Sequence, residues 1–230
     1  MKIFALLVLS IGAYFTVNAQ SFGVIHDKDG FVNIREKQSI NSSVVFKLYN
    51  DEIFSYDEEN KSEWIRIYKQ LDEDKSSGFT GYIHKSRILP LTDLKKTKKI
   101  TFSPDSSIAE NDSIKITVKS KIFNFKNHKL SYSVDQLKAI DGRMFWGTDG
   151  TIPKKIISSV KIEINNIPIV VPINSFNNLY EPRLKTLKAY LGPNNTIYIE
   201  MDNSDGAGAY TVIWIIKNGK YLKKFLVSNA

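Results

Sequence analysis

Apolar and polar residues alternate with period two through much of this chain, in short runs separated by glycine, asparagine and aspartate. In 31–35, Val32 and Ile34 share one face while Phe31, Asn33 and Arg35 share the other; in 64–68, Ile65 and Ile67 oppose Trp64, Arg66 and Tyr68. Such runs describe strands that bury one side. DGFVNIRE (29–36), VVFKLYNDEIFSY (44–56), WIRIY (64–68) and GYIHKSRIL (81–89) follow one another closely. They are interrupted at Asp29-Gly30, Asn50-Asp51, Glu59-Asn60 and Ser77-Gly78, where polar or glycine residues suit tight turns. The pattern predicts a small, strongly bent β-barrel.

Alternation resumes at IKITVKS (114–120), where Ile114, Ile116 and Val118 oppose Lys115, Thr117 and Lys119. Ser133 with Gln136 fits a capping box and predicts a short helix through Ile140, closed by Gly142. VKIEI (160–164) and IPIVV (167–171) flank Asn165-Asn166 and predict a hairpin, with Pro168 placing its second strand at an edge or a bulge. The last fifty residues are the most regular. LKAYL (187–191), TIYIEM (196–201), YTVIWII (210–216) and KYLKKFLV (220–227) predict an antiparallel meander, with Asn218-Gly219 as its clearest turn. YTVIWII is apolar on both faces, which places it centrally. The fold class expected is therefore mainly β: a small N-terminal barrel plus an antiparallel β-rich unit with one or two short helices.

The elements of the first unit, taken in order, carry a resemblance. DGFVNIRE, a polar loop, an apolar Val-Val pair, LYNDEIF, a tryptophan strand and a final GYIHKSRI are similar to a bacterial SH3 domain, the SH3b type of cell-envelope proteins, over about 23–91. The insertion KQLDEDKSSGFT (69–80) is longer and more acidic than that type's hairpin. The resemblance implies a groove that binds a peptide or cell-wall material through exposed aromatics. Tyr49, Tyr56, Phe79 and Tyr82 are its expected lining, with Asp72 to Asp74 available to attract a cation. Trp64 is expected to plug the small core instead.

Residues 1–19 read as a signal peptide: Lys2, an apolar core IFALLVLSIGAYF, and Val17-Asn18-Ala19 before a mature start at Gln20. That stretch is shorter than the roughly 20 residues that span a bilayer, so no membrane span is expected after cleavage. An exported location, periplasmic or secreted, follows. The chain has 230 residues, which suits two domains, and no cysteine, so it has neither disulfides nor a cysteine nucleophile. The expected division is 23–91, a solvated linker at 92–107 containing Lys95, Lys96, Lys98 and Lys99, and a second domain at 108–230. Charge divides with it. Residues 20–93 hold 10 Lys plus Arg against 13 Asp plus Glu, giving −3, and residues 94–230 hold 21 against 11, giving +10. The basic half suits either an anionic partner or a lysine-rich soluble surface. Export and the lack of a recognised motif argue against nucleic acid.

Two stretches of the second unit depart from plain scaffold: MFWGTDGTIPK (144–154) and MDNSDGAGAY (201–210). Trp146, Asp149, Asp202, Asp205 and Tyr210 are the candidate patch. Together with NLYEP (178–182), these stretches resemble uncharacterised exported bacterial proteins pairing an SH3b domain with a β-rich one, a resemblance that brings no activity with it. Calcium at 202–213 fails on spacing, because an EF-hand loop needs a glutamate where Ile213 sits. His26, His84 and His128 lack metal-ligand spacing, and no G-x-S-x-G elbow occurs. No cofactor, metal or catalytic residue is therefore assigned, although Asp141, Asp149, Glu181, Asp202 and Asp205 are open as a carboxylate pair. Three functions are compatible with this reading. The first is an exported non-enzymatic binding protein of the envelope, whose partner is a cell-wall peptide or another protein. The second is an inhibitor or immunity-type protein against a secreted enzyme or toxin, and the third a carboxylate-dependent wall hydrolase.

Overall fold

A computed structural model describes residues 20–57, 62–71 and 77–229; the stretch 1–19, read above as a signal peptide, the turn expected at Glu59-Asn60 and the acidic segment 72–76 lie outside them. The architecture is mainly β, built from antiparallel sheets. Seven strands form the N-terminal unit: β1 (Ser21–Ile25), β2 (Phe31–Arg35), β3 (Val44–Tyr49), β4 (Ile53–Tyr56), β5 (Trp64–Gln70), β6 (Gly78–His84) and β7 (Ile88–Pro90). Their order is β3-β2-β6-β5-β4-β1-β7. Ile25, Ile34, Leu48, Phe54, Ile65, Ile67 and Ile83 come from six of these strands yet meet in one buried cluster, so the sheet curls around them as a half-barrel. The register read from alternation holds here, since Ile34, Ile65 and Ile67 all point inward.

The C-terminal unit begins earlier than expected. Residues 92–107, read as a linker, contain β8 (Lys95–Lys96), β9 (Lys99–Ser103) and the start of β10 (Ser106–Glu110). Lys95 and Lys96 pair with Leu191 and Tyr190, and the Lys96 ammonium sits 5.4 Å over the Tyr190 ring. The lysine run is thus an edge of sheet whose polar heads reach solvent along apolar stems. β11 (Ile114–Ile122) follows, then β12 (Leu130–Ser133), β13 (Gln136–Ile140), β14 (Lys155–Ile164), β15 (Ile167–Ile169), β16 (Lys188–Leu191), β17 (Thr196–Asn203), β18 (Tyr210–Lys217) and β19 (Lys220–Ser228). The helix predicted over 133–140 is instead the β12–β13 hairpin. Val134 and Asp135 at its tip both take positive φ, 47° and 62°, which a helix excludes. Among the described residues the helical pieces are single 3₁₀ turns.

Two five-stranded sheets, β15-β14-β11-β10-β9 and β19-β18-β17-β16-β8, face one another. Ile116, Val118 and Ile162 of the first pack on Ile199, Val212 and Trp214 of the second. The second sheet's other face carries Tyr190, Tyr198, Ile213, Ile215 and Phe225, which pack on Phe22, Val24, Ile53 and Leu91 of the half-barrel. This explains why 210–216 is apolar on both sides: each face of β18 is covered by a different layer. The hairpin over Asn165-Asn166 and the four-strand meander form as the sequence predicts, with Asn165, Asn166, Asn218 and Gly219 all at positive φ. Pro168 lies on β15, an edge strand.

Polar bonds tie the half-barrel to the sandwich. Asp51, buried, faces the Lys217 ammonium at 2.8 Å and accepts from Asn194 Nδ2 at 3.1 Å. The Tyr198 hydroxyl donates to the Asp51 carbonyl at 3.0 Å, and Leu226 N donates to Gln70 Oε1 at 2.6 Å. Burial, followed by the Asp51 carboxylate, pushes the Tyr198 phenol well up.

Candidate functional site

The two loops singled out by composition converge. A cleft of about 650 Å³ is lined by Gly147, Thr148, Asp149, Thr151, Ile152 and Lys154 from the first, by Ser204, Asp205, Ala207 and Gly208 from the second, and by Glu181, Pro182 and Arg183 from NLYEP and its neighbour. Strand pairing is what brings them together. β17 and β18 run side by side from Thr196↔Lys217 to Asn203↔Tyr210, so the loop joining them emerges at the end of the sheet. There Pro182 bridges to Asn203, and the segment before it is bound to the first loop, Trp146 N donating to the Asn178 carbonyl at 3.0 Å and Tyr180 N to the Trp146 carbonyl at 2.9 Å.

Glycines set how closely these segments pack. A Cβ on Gly208 would lie 2.8 Å from Thr148 Cα, and one on Gly147, at φ +125°, would lie 2.5 Å from the Tyr180 carbonyl oxygen. The Ser204 hydroxyl closes the contact by donating to the Gly147 carbonyl at 2.6 Å. Glu181, itself at φ 48°, accepts from the backbone amide of Lys154 and, at 3.4 Å, from that of Lys155. Its carboxylate is therefore engaged in holding the rim. Asp149, Asp205, Lys154 and Arg183 are exposed at the cleft, and their charged groups carry no hydrogen bond or ion pair among the described residues.

Of the five residues proposed for this patch, Asp149 and Asp205 line it. Trp146 and Tyr210 do not: both are buried, their rings 5.8 Å apart in the sandwich core. The Tyr210 hydroxyl donates to the Tyr180 carbonyl at 2.9 Å, and burial, then the Glu181 carboxylate, raises its pKa well above the usual phenol range. Asp202 sits on β17, accepting from Thr211 Oγ1 at 2.7 Å. Asp141 lies elsewhere, 2.6 Å from His128 Nδ1, and that hydrogen bond leads in holding its carboxyl below the ordinary range. Lys154 closes the stretch 144–154 singled out above, without having been named as a site residue; Arg183 was not foreseen, because nothing local in the sequence distinguishes it from other surface cations. Among the described residues no group of three or more His, Asp or Glu is placed to hold a metal ion.

The half-barrel has its own concavity, of about 210 Å³, between β2, the start of β5, the end of β6 and the loop carrying Ile40. Phe31, Trp64, His84 and Ile40 supply its apolar surface; Asp29, Asn33, Arg35 and Arg87 supply its polar groups. Trp64 does not plug the core. It lies half-buried on the face opposite Ile65 and Ile67, edge-on to the His84 ring at 5.5 Å, and the core is filled by Phe54, Tyr56 and aliphatic side chains instead. The expected groove residues fare differently. Tyr56 is buried in the barrel core; Tyr49 is exposed beside Phe31 at 6.3 Å; Phe79 is exposed and stacks on Phe46 at 5.0 Å; Tyr82 is half-buried opposite Arg35 and Arg66. None of the four is among the lining residues. Phe31 and His84 were legible, since alternation puts Phe31, Asn33 and Arg35 on one outward face. Arg87 is committed to Asp27, and the Asn33 side-chain oxygen is buried with no donor among the described residues. No family model matches this chain, and no curated protein or solved structure matches it either. Among the described residues no helix is long and apolar enough to cross a membrane.

Proposed function

We propose that this is an exported, non-enzymatic binding protein of the bacterial cell envelope, whose half-barrel, resembling an SH3b domain, holds an extended peptide or cell-wall material. The observation that carries the reading is the groove of Phe31, Trp64 and His84, flanked by Asp29 and Arg35. Flat aromatic faces receive ligand side chains at little conformational cost. A partly exposed tryptophan lining a groove is also a side chain whose truncation often removes a large share of affinity.

The test is retention on purified peptidoglycan and its stem peptides at low salt. The wild-type chain binds, and Trp64→Ala, which removes a half-exposed ring and leaves the core intact, binds about 30-fold more weakly, the equivalent of roughly 2 kcal/mol. A folded wild-type protein that is not retained, or a Trp64→Ala variant retained equally, refutes the proposal. One observation favours a second reading, the carboxylate-dependent hydrolase: Asp149 and Asp205 share a cleft. Lysis in a zymogram that disappears with Asp149→Asn or Asp205→Asn would establish that reading instead.

A further inference from the structure

We infer that the cleft between 147–154, 181–183 and 204–208 is a second binding site, independent of the half-barrel groove, and that it takes a short dipolar peptide: one carrying a free amino group and a free carboxylate.

The argument starts from charge. Residues 94–230 carry +10, yet this cleft concentrates acids, with Asp149 and Asp205 on its two opposing loops and Glu181 in its wall. Glu181 is taken up by the backbone amides of Lys154 and Lys155. That leaves two carboxylates and two cations, Lys154 and Arg183, without partners among the described residues, although opposite charges line the same concavity. The Gly208–Thr148 and Gly147–Tyr180 contacts hold the loops that carry Asp149 and Asp205 against one another and against the 180–183 segment. A purely cationic ligand meets the field of the basic half, and a purely anionic one meets Asp149 and Asp205. A ligand with both ends satisfies both sets. Arg183 offers a planar fork suited to a carboxylate, and paired carboxylates suit an ammonium. The volume, about 650 Å³, lies within the range of small-ligand clefts and suits a peptide of a few residues, with Ile152, Pro182 and Ala207 as apolar contacts for its side chains.

The experiment is calorimetric titration of the mature chain, in the Trp64→Ala background so that the half-barrel groove does not report, with alanine-rich tetrapeptides at low salt. Four forms are compared: free at both ends, acetylated, amidated, and capped at both. The free peptide binds, each single cap weakens binding about tenfold, and the doubly capped form is not detected. In Asp149→Asn/Asp205→Asn, acetylation ceases to matter while amidation still does; in Arg183→Gln/Lys154→Gln the reverse holds. All four side chains are exposed, so these variants fold, and circular dichroism verifies it. Equal binding of free and capped peptides, absence of binding by the folded protein, or insensitivity to both double substitutions overturns the inference. The Trp64→Ala background keeps that failure separate from failure of the half-barrel groove.

Discussion

Lys69 provides a direct measurement of the seam between the half-barrel and the sandwich. Its side chain is 10% exposed, donates to the Ile53 carbonyl at 2.9 Å and pairs with Glu52 at 3.2 Å. Burial, then repulsion from Lys223 on β19, pushes its pKa down to about 8, with Glu52 opposing both. The sign follows from proton counting. Between about pH 8 and the unfolded value near 10.5, the unfolded chain holds a proton that the folded chain has released, so stability rises with pH across that window. Integrated to pH 9.5, before ordinary tyrosines ionise, the gain is about 2 kcal/mol at 1.36 kcal/mol per pH decade. Above pH 10 the trend reverses, because burial raises the pKa of Tyr180 to about 12, and those of Tyr190 and Tyr198 are raised too, so the unfolded chain loses these protons first. The assay is urea denaturation at pH 7.5, 8.5 and 9.5, comparing wild type with Lys69→Met, a substitution of similar length without the charge. Wild type gains about 2 kcal/mol over this range and the variant gains less than about 0.5 kcal/mol. An equal slope in the two proteins would refute the assignment, since the titration would then belong to another group.

Two further outcomes follow from the packing. Gly147→Ala destabilises by about 2–4 kcal/mol, because strain at positive φ adds to a Cβ placed against the Tyr180 carbonyl, whereas Gly206→Ala, at φ +52° with nothing within 4 Å of its Cβ, costs about 1 kcal/mol; equal costs measured by denaturation would show that the close approach contributes nothing. Native-state hydrogen exchange gives the same opening free energy for amides of β5 and β18, and a lower ceiling for β5 would show that the half-barrel opens alone.

What the sequence disclosed, and what it withheld, divides by the range of the interaction. Strands that meet at a turn pair, such as 160–169 over Asn165-Asn166 and 210–227 over Asn218-Gly219, were legible because neighbouring residues decide them. Trp64 stays out of the core because register outweighs side-chain size. Ile65 and Ile67 already occupied the inner face, and a strand cannot turn one residue inward without turning all of them. The 133–140 helix rested on two capping residues, while Leu137 and Ile140 found a better burial beside Phe123, Ile156 and Tyr180 as a hairpin. The cleft was half legible. Glycine and aspartate marked both loops, the first of which ends at Lys154, but Arg183 entered the cleft only through pairings such as Pro182 with Asn203, which nothing local announces.

The lysine-rich passage from Leu91 onward changes what the two concavities mean together. A solvated linker would have let each unit engage its ligand separately, with the span between them set by chain flexibility. Instead Leu91 is buried against Phe22 and Tyr198, Thr97 N donates to the Ala189 carbonyl at 3.0 Å, and β8 continues directly into the sheet. The polar bonds of Asp51 and Gln70, with the Lys223–Glu52 pair at 3.9 Å, then fix the half-barrel to the outer face of that same sheet. Neither unit can rotate without exposing Ile213, Ile215 and Phe225 to water, a loss of several buried aliphatic and aromatic side chains at about 1.5–3 kcal/mol each. The half-barrel groove and the charged cleft therefore sit on units joined by one continuous buried interface, with no solvated linker between them.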